Sequence, residues 1–156
     1  MICLKPMSVD AFEKFKMESQ SAYATNLAAV EVITYEEALK NASEQFDKLV
    51  PNGNATPGQS FFDVVETNSG ESIGFLWLGF QTRFGRKVAS INDITIASAN
   101  RGKGFGKALM KLVEDEARRC AAVRIRLHVF NSNQVAKNLY LAMGFEPTNL
   151  DMRKDI

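Results

Sequence analysis

Apolar residues recur along this chain in two rhythms. Between residues 10 and 49 they return at Phe12, Phe15, Ala22, Tyr23 and Leu27, with Ser19 in the same stripe, and then at Ala38, Leu39, Ala42, Phe46 and Leu49. Steps of three and four place each set on one face of a helix. Asp10 followed by Glu13 marks the start of the first helix. Thr34 followed by Glu37 has capping-box spacing for the second, which "VPNGN" ends. A short strand, "ICLKPM", is predicted ahead of both.

From residue 60 the rhythm changes to alternation. "SFFDVVET" and "ESIGFLWLGF" flank the turn "NSG" and predict a β-hairpin, and "QTRFGRK" reads as a polar link to the next strand. That strand, "VASINDITIA", is out of step with itself: Ala89 and Ile91 mark odd positions, whereas Ile94 and Ile96 mark even ones. One extra residue near Asn92 and Asp93 restores the alternation, which predicts a β-bulge. A helical face follows from Phe105 through Leu109, Leu112 and Val113 to Ala117, ending near Cys120. "VRIRLHVF" alternates strictly and predicts a strand, "SNQVAKNLYLAMGF" a short helix stopped at Gly144, and "FEPTNLDMRKDI" a last strand. The expected order is β-α-α-β-β-β-α-β-α-β.

Composition narrows the picture only a little. With 156 residues and 46% hydrophobic content, the chain is long enough for one core, so one domain over residues 1–156 is expected. There is no apolar run long enough to cross a membrane, and "MICLKPMSVD" lacks a signal-peptide core, so a cytoplasmic location is expected. Cys3, Cys120 and the lone His128 form no metal-ligating pattern, and both thiols read as structural. The net charge of +1 argues against nucleic-acid binding. Its distribution is uneven: residues 1–85 carry six basic and eleven acidic side chains, and residues 86–156 carry thirteen and seven. This split suits a basic half for an anionic cofactor and an acidic half for a cationic substrate, and ordinary variation in surface charge accounts for the same totals.

The candidate chemistry lies in "ANRGKGFGKALM", residues 99–110, where glycines alternate among Arg101, Lys103 and Lys107 just before a helix. Such a stretch can cradle an anion on free backbone N–H groups. It is not a Walker A loop, because Arg101 and Ala108 stand where glycine and a hydroxyl are required. It is not a dinucleotide fingerprint either, because Lys107 replaces the third glycine.

The remaining pattern, Arg-x-x-Gly-x-Gly over Arg101, Gly104 and Gly106, resembles the cofactor loop of the GCN5-related N-acetyltransferase (GNAT) family. "NQVAKNLYLAMGF", residues 133–145, resembles that family's second hallmark, Asn-x-x-Ala-x-x-Leu-Tyr-x-x-x-Gly-Phe. The resemblance implies an α+β fold: a mixed, mostly antiparallel sheet with flanking helices, whose bulged strand and "RIRLHVF" run parallel and splay apart. It implies acetyl-CoA as co-substrate without a metal. The implied reaction is direct attack of an amine, borne by a small molecule or a protein, within a ternary complex of a monomer or homodimer.

The resemblance also implies site residues. Arg101, Gly102, Lys103, Gly104, Phe105, Gly106 and Lys107 would hold the pyrophosphate of coenzyme A. The backbone of Ile94, Thr95 and Ile96 would pair with the pantetheine arm, and Asn133 and Lys137 would add polar contacts. A backbone N–H near Ile94 could serve the thioester oxygen. Tyr140 is the candidate acid for the departing thiolate, and Asp93, beside the bulge, is the candidate base, with water relayed to another carboxylate as the alternative. Tyr23 and Tyr35 are candidates for the acceptor pocket, whose occupant the sequence does not identify. The same motifs would serve a non-catalytic acyl-CoA sensor, which turnover distinguishes, and an interaction protein without cofactor remains a further alternative.

Overall fold

The computed structural model describes all residues, Met1–Ile156. Five strands form one sheet in the order β1 (Ile2–Pro6), β2 (Gln59–Glu66), β3 (Ser72–Arg83), β4 (Arg86–Ile96) and β5 (Arg124–Leu127). All neighbours are antiparallel except β4 and β5, which are parallel. Helices α1 (Val9–Val30) and α2 (Tyr35–Leu49) precede β2, α3 (Phe105–Arg119) connects β4 to β5, and α4 (Gln134–Ala142) follows β5. This is the mixed α+β architecture expected from the sequence.

Alternation along the strands divides the core into two layers. Phe61 and Trp77 turn toward α1 and α2, where they pack with Met7, Phe12, Phe15 and Phe46. Val64, Leu76, Leu78 and Ile91 turn the other way and pack against Leu109, Met110 and Val113 of α3. Leu139, Tyr140 and Met143 of α4 close the second layer. Burying each large apolar side chain contributes about 1.5–3 kcal/mol, so the two layers fix which face of the sheet meets which helices.

Several local expectations hold. Thr34 and Glu37 form the capping box, with Glu37 N–H donating to Thr34 Oγ1 at 3.2 Å and Thr34 N–H to Glu37 Oε2 at 2.8 Å. Gly144, at φ +84°, ends α4: its N–H donates to Leu141 O, and Phe145 N–H donates to Tyr140 O. This is a Schellman closure, and the rings of Phe145 and Tyr140, 5.7 Å apart, supply its apolar contact.

Other expectations need correction. The N-cap of α1 is Ser8, whose Oγ accepts from Ala11 N–H at 3.1 Å, so Asp10 lies inside the first turn. "QTRFGRK" is not a loose link: Phe84 (φ +49°) and Gly85 (φ +73°) make a two-residue turn, and Arg83 faces Arg86 as the closing pair. Two positive φ angles match the right-handed twist of the strands and let both extend to the turn. β5 stops at Leu127, short of "VRIRLHVF", because its partner strand departs there. The last strand is absent. Residues 144–156 form no helix or strand, and Pro147 and the charged residues near the end give little apolar alternation for pairing.

Candidate functional site

The bulge lies where the sequence places it. On β3 the partners of Trp77 and Leu78 are Asp93 and Ile91, so Asn92 is the extra residue of β4. Its side chain reaches β2: Asn92 Nδ2 donates to Gln59 Oε1 at 3.3 Å, and the same oxygen accepts from Trp77 Nε1 at 2.6 Å. Gly79 leaves the space for this crossing, since a Cβ there would sit 2.7 Å from Asn92 Nδ2. The parallel pairing of β4 with β5 also ends at this point, with Ile91 opposite Leu127. Beyond it, β4 continues to Ile96 while remaining paired with β3 only. The two parallel strands therefore separate at the bulge, as the resemblance implies.

A groove of about 680 Å³ lies along this opening, between the sheet and helices α1 and α2. Asp93 and Tyr140 both line it. Asp93 accepts the hydroxyl of Ser19, which is buried on α1. Burial pushes the Asp93 carboxyl above the usual carboxylate range, while the Ser19 hydroxyl and the neighbouring Ile94 N–H pull in the opposite direction. Burial also raises the Tyr140 phenol, and the negative charge of Asp93 raises it further. The two groups thus share one electrostatic environment, with a carboxylate able to take a proton closer to neutral pH and a phenol that keeps its own.

The glycine stretch follows β4 and opens α3. Gly102 (φ +77°) and Gly104 (φ +81°) adopt a backbone that side chains disfavour, and a Cβ on either would meet nothing within 4 Å. Gly104 is the N-cap of α3, so the N–H groups of Phe105, Gly106 and Lys107 have no intrahelical acceptor. Arg101 donates from Nε to Ile96 O at 2.9 Å, and Lys103 Nζ donates to Asn100 Oδ1 at 3.1 Å. Free N–H groups, a helix N-terminus and three cations form a donor set suited to a diphosphate. Gly106 serves packing as well, because a Cβ there would lie 3.1 Å from Leu139 Cδ2 on α4.

The remaining predicted residues fall in different places. Ile94 and Thr95 line the groove, as does Asn133, whose Oδ1 caps α4 by accepting from Ala136 N–H at 3.2 Å. Ile96 lies at the end of β4 with its carbonyl already engaged by Arg101. Lys137 Nζ donates to Asn131 Oδ1 at 2.7 Å. Tyr23 lines the groove, its ring 6.1 Å from that of Phe130, whereas Tyr35 pairs its hydroxyl with Ser21 outside it. Cys3 and Cys120 are free thiols, and no group of three or more His, Cys, Asp or Glu could hold a metal ion. No helix is long and apolar enough to cross a membrane.

The expected acidic acceptor surface is not present. Asp93 is the only carboxylate lining the groove, and Glu13, Glu18, Glu36, Glu37 and Glu44 of α1 and α2 are exposed. Those helices line the groove with Ser19, Tyr23, Asn41 and Gln45 instead. Sequence reasoning also missed Ser19 as a partner of Asp93 and Arg83 and Arg126 as groove residues. No local signal separates Ser19 from the small residues of its helix stripe.

Comparison with known proteins agrees with this geometry. Residues 24–145 match the acetyltransferase (GNAT) family. The chain is 31% identical over 153 residues to the uncharacterized N-acetyltransferase YdgE of Bacillus subtilis (strain 168), spanning 98% of this chain and 97% of that one. It is 28% identical over 155 residues to the uncharacterized N-acetyltransferase YycN of the same organism, covering 99% of both. The crystal structure of YycN superposes with a TM-score of 0.93 at 27% identity, over 100% of this chain and 99% of that one. A shorter similarity, 42% over 62 residues, is to the streptothricin acetyltransferase of Streptomyces lavendulae, covering 40% of this chain and 33% of that one. With the bulge, the separated parallel strands and the glycine-led helix all in place, the chain belongs to the GNAT acetyltransferase family.

Proposed function

We propose that the protein transfers the acetyl group of acetyl-CoA to an amine by direct attack, with Asp93 and Tyr140 handling the two protons. The observation that carries this reading is that a carboxylate and a phenol, each raised by burial, face one groove where β4 leaves β5. The loop from Gly102 to Lys107, with Arg101, Lys103 and Lys107, takes the pyrophosphate. The backbone of Ile94, Thr95 and Ile96, unpaired on the β5 side, takes the pantetheine arm, and Asn133 and Lys137 add polar contacts from α4.

Bound acetyl-CoA supplies a thioester carbon as the electrophile. A primary alkyl amine has a pKa of about 10.4 and must lose a proton to attack. Asp93 accepts that proton, directly or through one water, aided by the burial that raises its carboxyl. As the N–C bond forms and the C–S bond breaks, Tyr140 passes its hydroxyl proton to the departing sulfur, the second proton that the nitrogen sheds on becoming an amide restores the phenol, and Asp93 releases the first to solvent. The Schellman closure at Gly144 holds the end of α4, and with it Tyr140, at the groove.

The test is acetylation of a mixed set of amines by wild type, Tyr140→Phe and Asp93→Asn, with released coenzyme A and acetylated product both measured. Product from wild type and a deficit of about 100-fold in either variant support the roles. Wild type that binds coenzyme A but forms no product with any amine supports a sensor instead.

A further inference from the structure

One end of the sheet carries a concentration of arginines that the proposed transfer chemistry leaves unused. Arg83 faces Arg86 across β3 and β4, and Arg124 and Arg126 on β5 stand opposite Val88 and Ser90 of β4. Partners in register share a face, and Arg86, Val88 and Ser90 share one by alternation. The four arginines therefore project from the same face of three adjacent strands, the face that α1 and α2 cover further along. Arg83 and Arg126 line the groove itself.

These cations are unpaired with acids. The ion pairs of the structure engage Lys14, Lys16, Arg118 and Arg119 and none of the four arginines. The one side-chain hydrogen bond of Arg83 goes to Gln81, Nε to Oε1 at 3.4 Å, and the half-buried side chain of Arg126 makes none. Four like charges on neighbouring strands repel one another, and an anion bound among them would relieve that repulsion.

Their position separates them from the cofactor cradle. Gly102–Lys107 follow the far end of β4, and from Ser90 to Ile96 the strand runs about 17–20 Å, at about 3.3 Å per residue with one residue taken up by the bulge. The arginines lie on the opposite side of Asp93 from that cradle. Between Ser90 and Asp93 the distance along the strand is about 7–10 Å, with one residue taken up by the bulge. An acceptor amine placed at Asp93 would thus extend its other end past Ser90 toward Arg126, whereas Arg83, six residues along β3 from the partner of Asp93, stands about 20 Å away and acts through its charge.

We infer that the acceptor is a small primary amine carrying a carboxylate or phosphate several bonds from its nitrogen, with the anion held by Arg126 in the positive field that Arg83 reinforces. This rests on the acetyl-transfer reading and narrows its substrate class. Arginine's fork of donors suits either anion, and the exposed Arg86 and Arg124 on the same face add to the field that attracts it from solution.

The test uses three amines of matched length: 5-aminopentanoate, 3-aminopropyl phosphate and the neutral 5-aminopentanamide. Acetylation rates at limiting amine are compared in wild type and in Arg83→Gln/Arg126→Gln. In parallel, binding of the same three amines to coenzyme A-loaded protein is followed by titration calorimetry, which reads recognition without turnover. At least one anionic amine is expected to exceed the amide by about tenfold or more in both measurements, less so at high salt, and the ratio is expected to approach one in the double variant. The better of the two anionic amines identifies carboxylate or phosphate. Equal binding of all three amines by wild type, or a preference that survives the double variant, overturns the inference. Selective binding without product from any amine counts against the transfer chemistry and leaves the anion site standing.

Discussion

Ser19 on α1 donates its hydroxyl to the carboxylate of Asp93 on β4, joining two positions 74 residues apart. This contact ties the helical cover of the groove to the bulge in its floor. Ser19 favours the charged form of Asp93, against the burial that opposes it. Ser19→Ala is therefore expected to move the acidic limb of the rate profile to higher pH while leaving coenzyme A affinity intact. The pH dependence of kcat/KM in wild type and variant measures the shift, and coincident limbs would detach Asp93 from the proton transfer.

Burial of Asp93 also carries a stability cost. Its carboxyl is raised above the ordinary 3.8, so the folded chain holds this proton to higher pH than the unfolded chain does. The favourable contribution is complete below the ordinary value and is lost as pH rises through the folded one. Asp93→Asn, which cannot ionise, is expected to gain in Tm relative to wild type as pH is raised from 4 toward 7, while its activity falls. Thermal unfolding across that range supplies the comparison, and a constant Tm difference would contradict it.

The cradle can be tested by charge at constant shape. Gly104 sits at φ +81° with open space around it, and asparagine tolerates that backbone better than other side chains. Gly104→Asn and Gly104→Asp should therefore fold alike, with coenzyme A binding about tenfold or more weaker for the aspartate, because a negative charge opposes the phosphates. Equal affinities by calorimetry would move the phosphate site elsewhere.

At the C-terminal end of α4, Gly144 holds φ +84° in the closure that sets Tyr140 against Phe145. Gly144→Ala should cost about 1–2 kcal/mol from backbone strain, seen as a lower Tm. If the closure positions the phenol, kcat should fall more than coenzyme A affinity. An unchanged kcat in the folded variant would make the closure purely structural.

Sequence pattern carried most of the local structure and little of what lies across the sheet. The parity break between Ile91 and Ile94 located the bulge near Asn92 and Asp93, and the strand register identifies Asn92 as the extra residue. The capping box at Thr34 and the glycine closure at Gly144 were equally readable, since each is formed by residues a few positions apart. Ser19 and the facing arginines were not readable, as their meaning depends on which strands become neighbours and in what register. The false last strand arose from the same source: apolar residues near the end could suggest a strand, but only a partner edge makes one.

Incubating the protein with acetyl-CoA and an amine set that includes 5-aminopentanoate and 3-aminopropyl phosphate, then weighing the products by mass spectrometry, tests the central claim most directly. The account predicts one amine gaining the mass of a single acetyl group, in equal amount to the coenzyme A released, with both signals falling about 100-fold in Tyr140→Phe. Undiminished product in the folded Tyr140→Phe variant, or bound coenzyme A without acetylation of any amine, would contradict it.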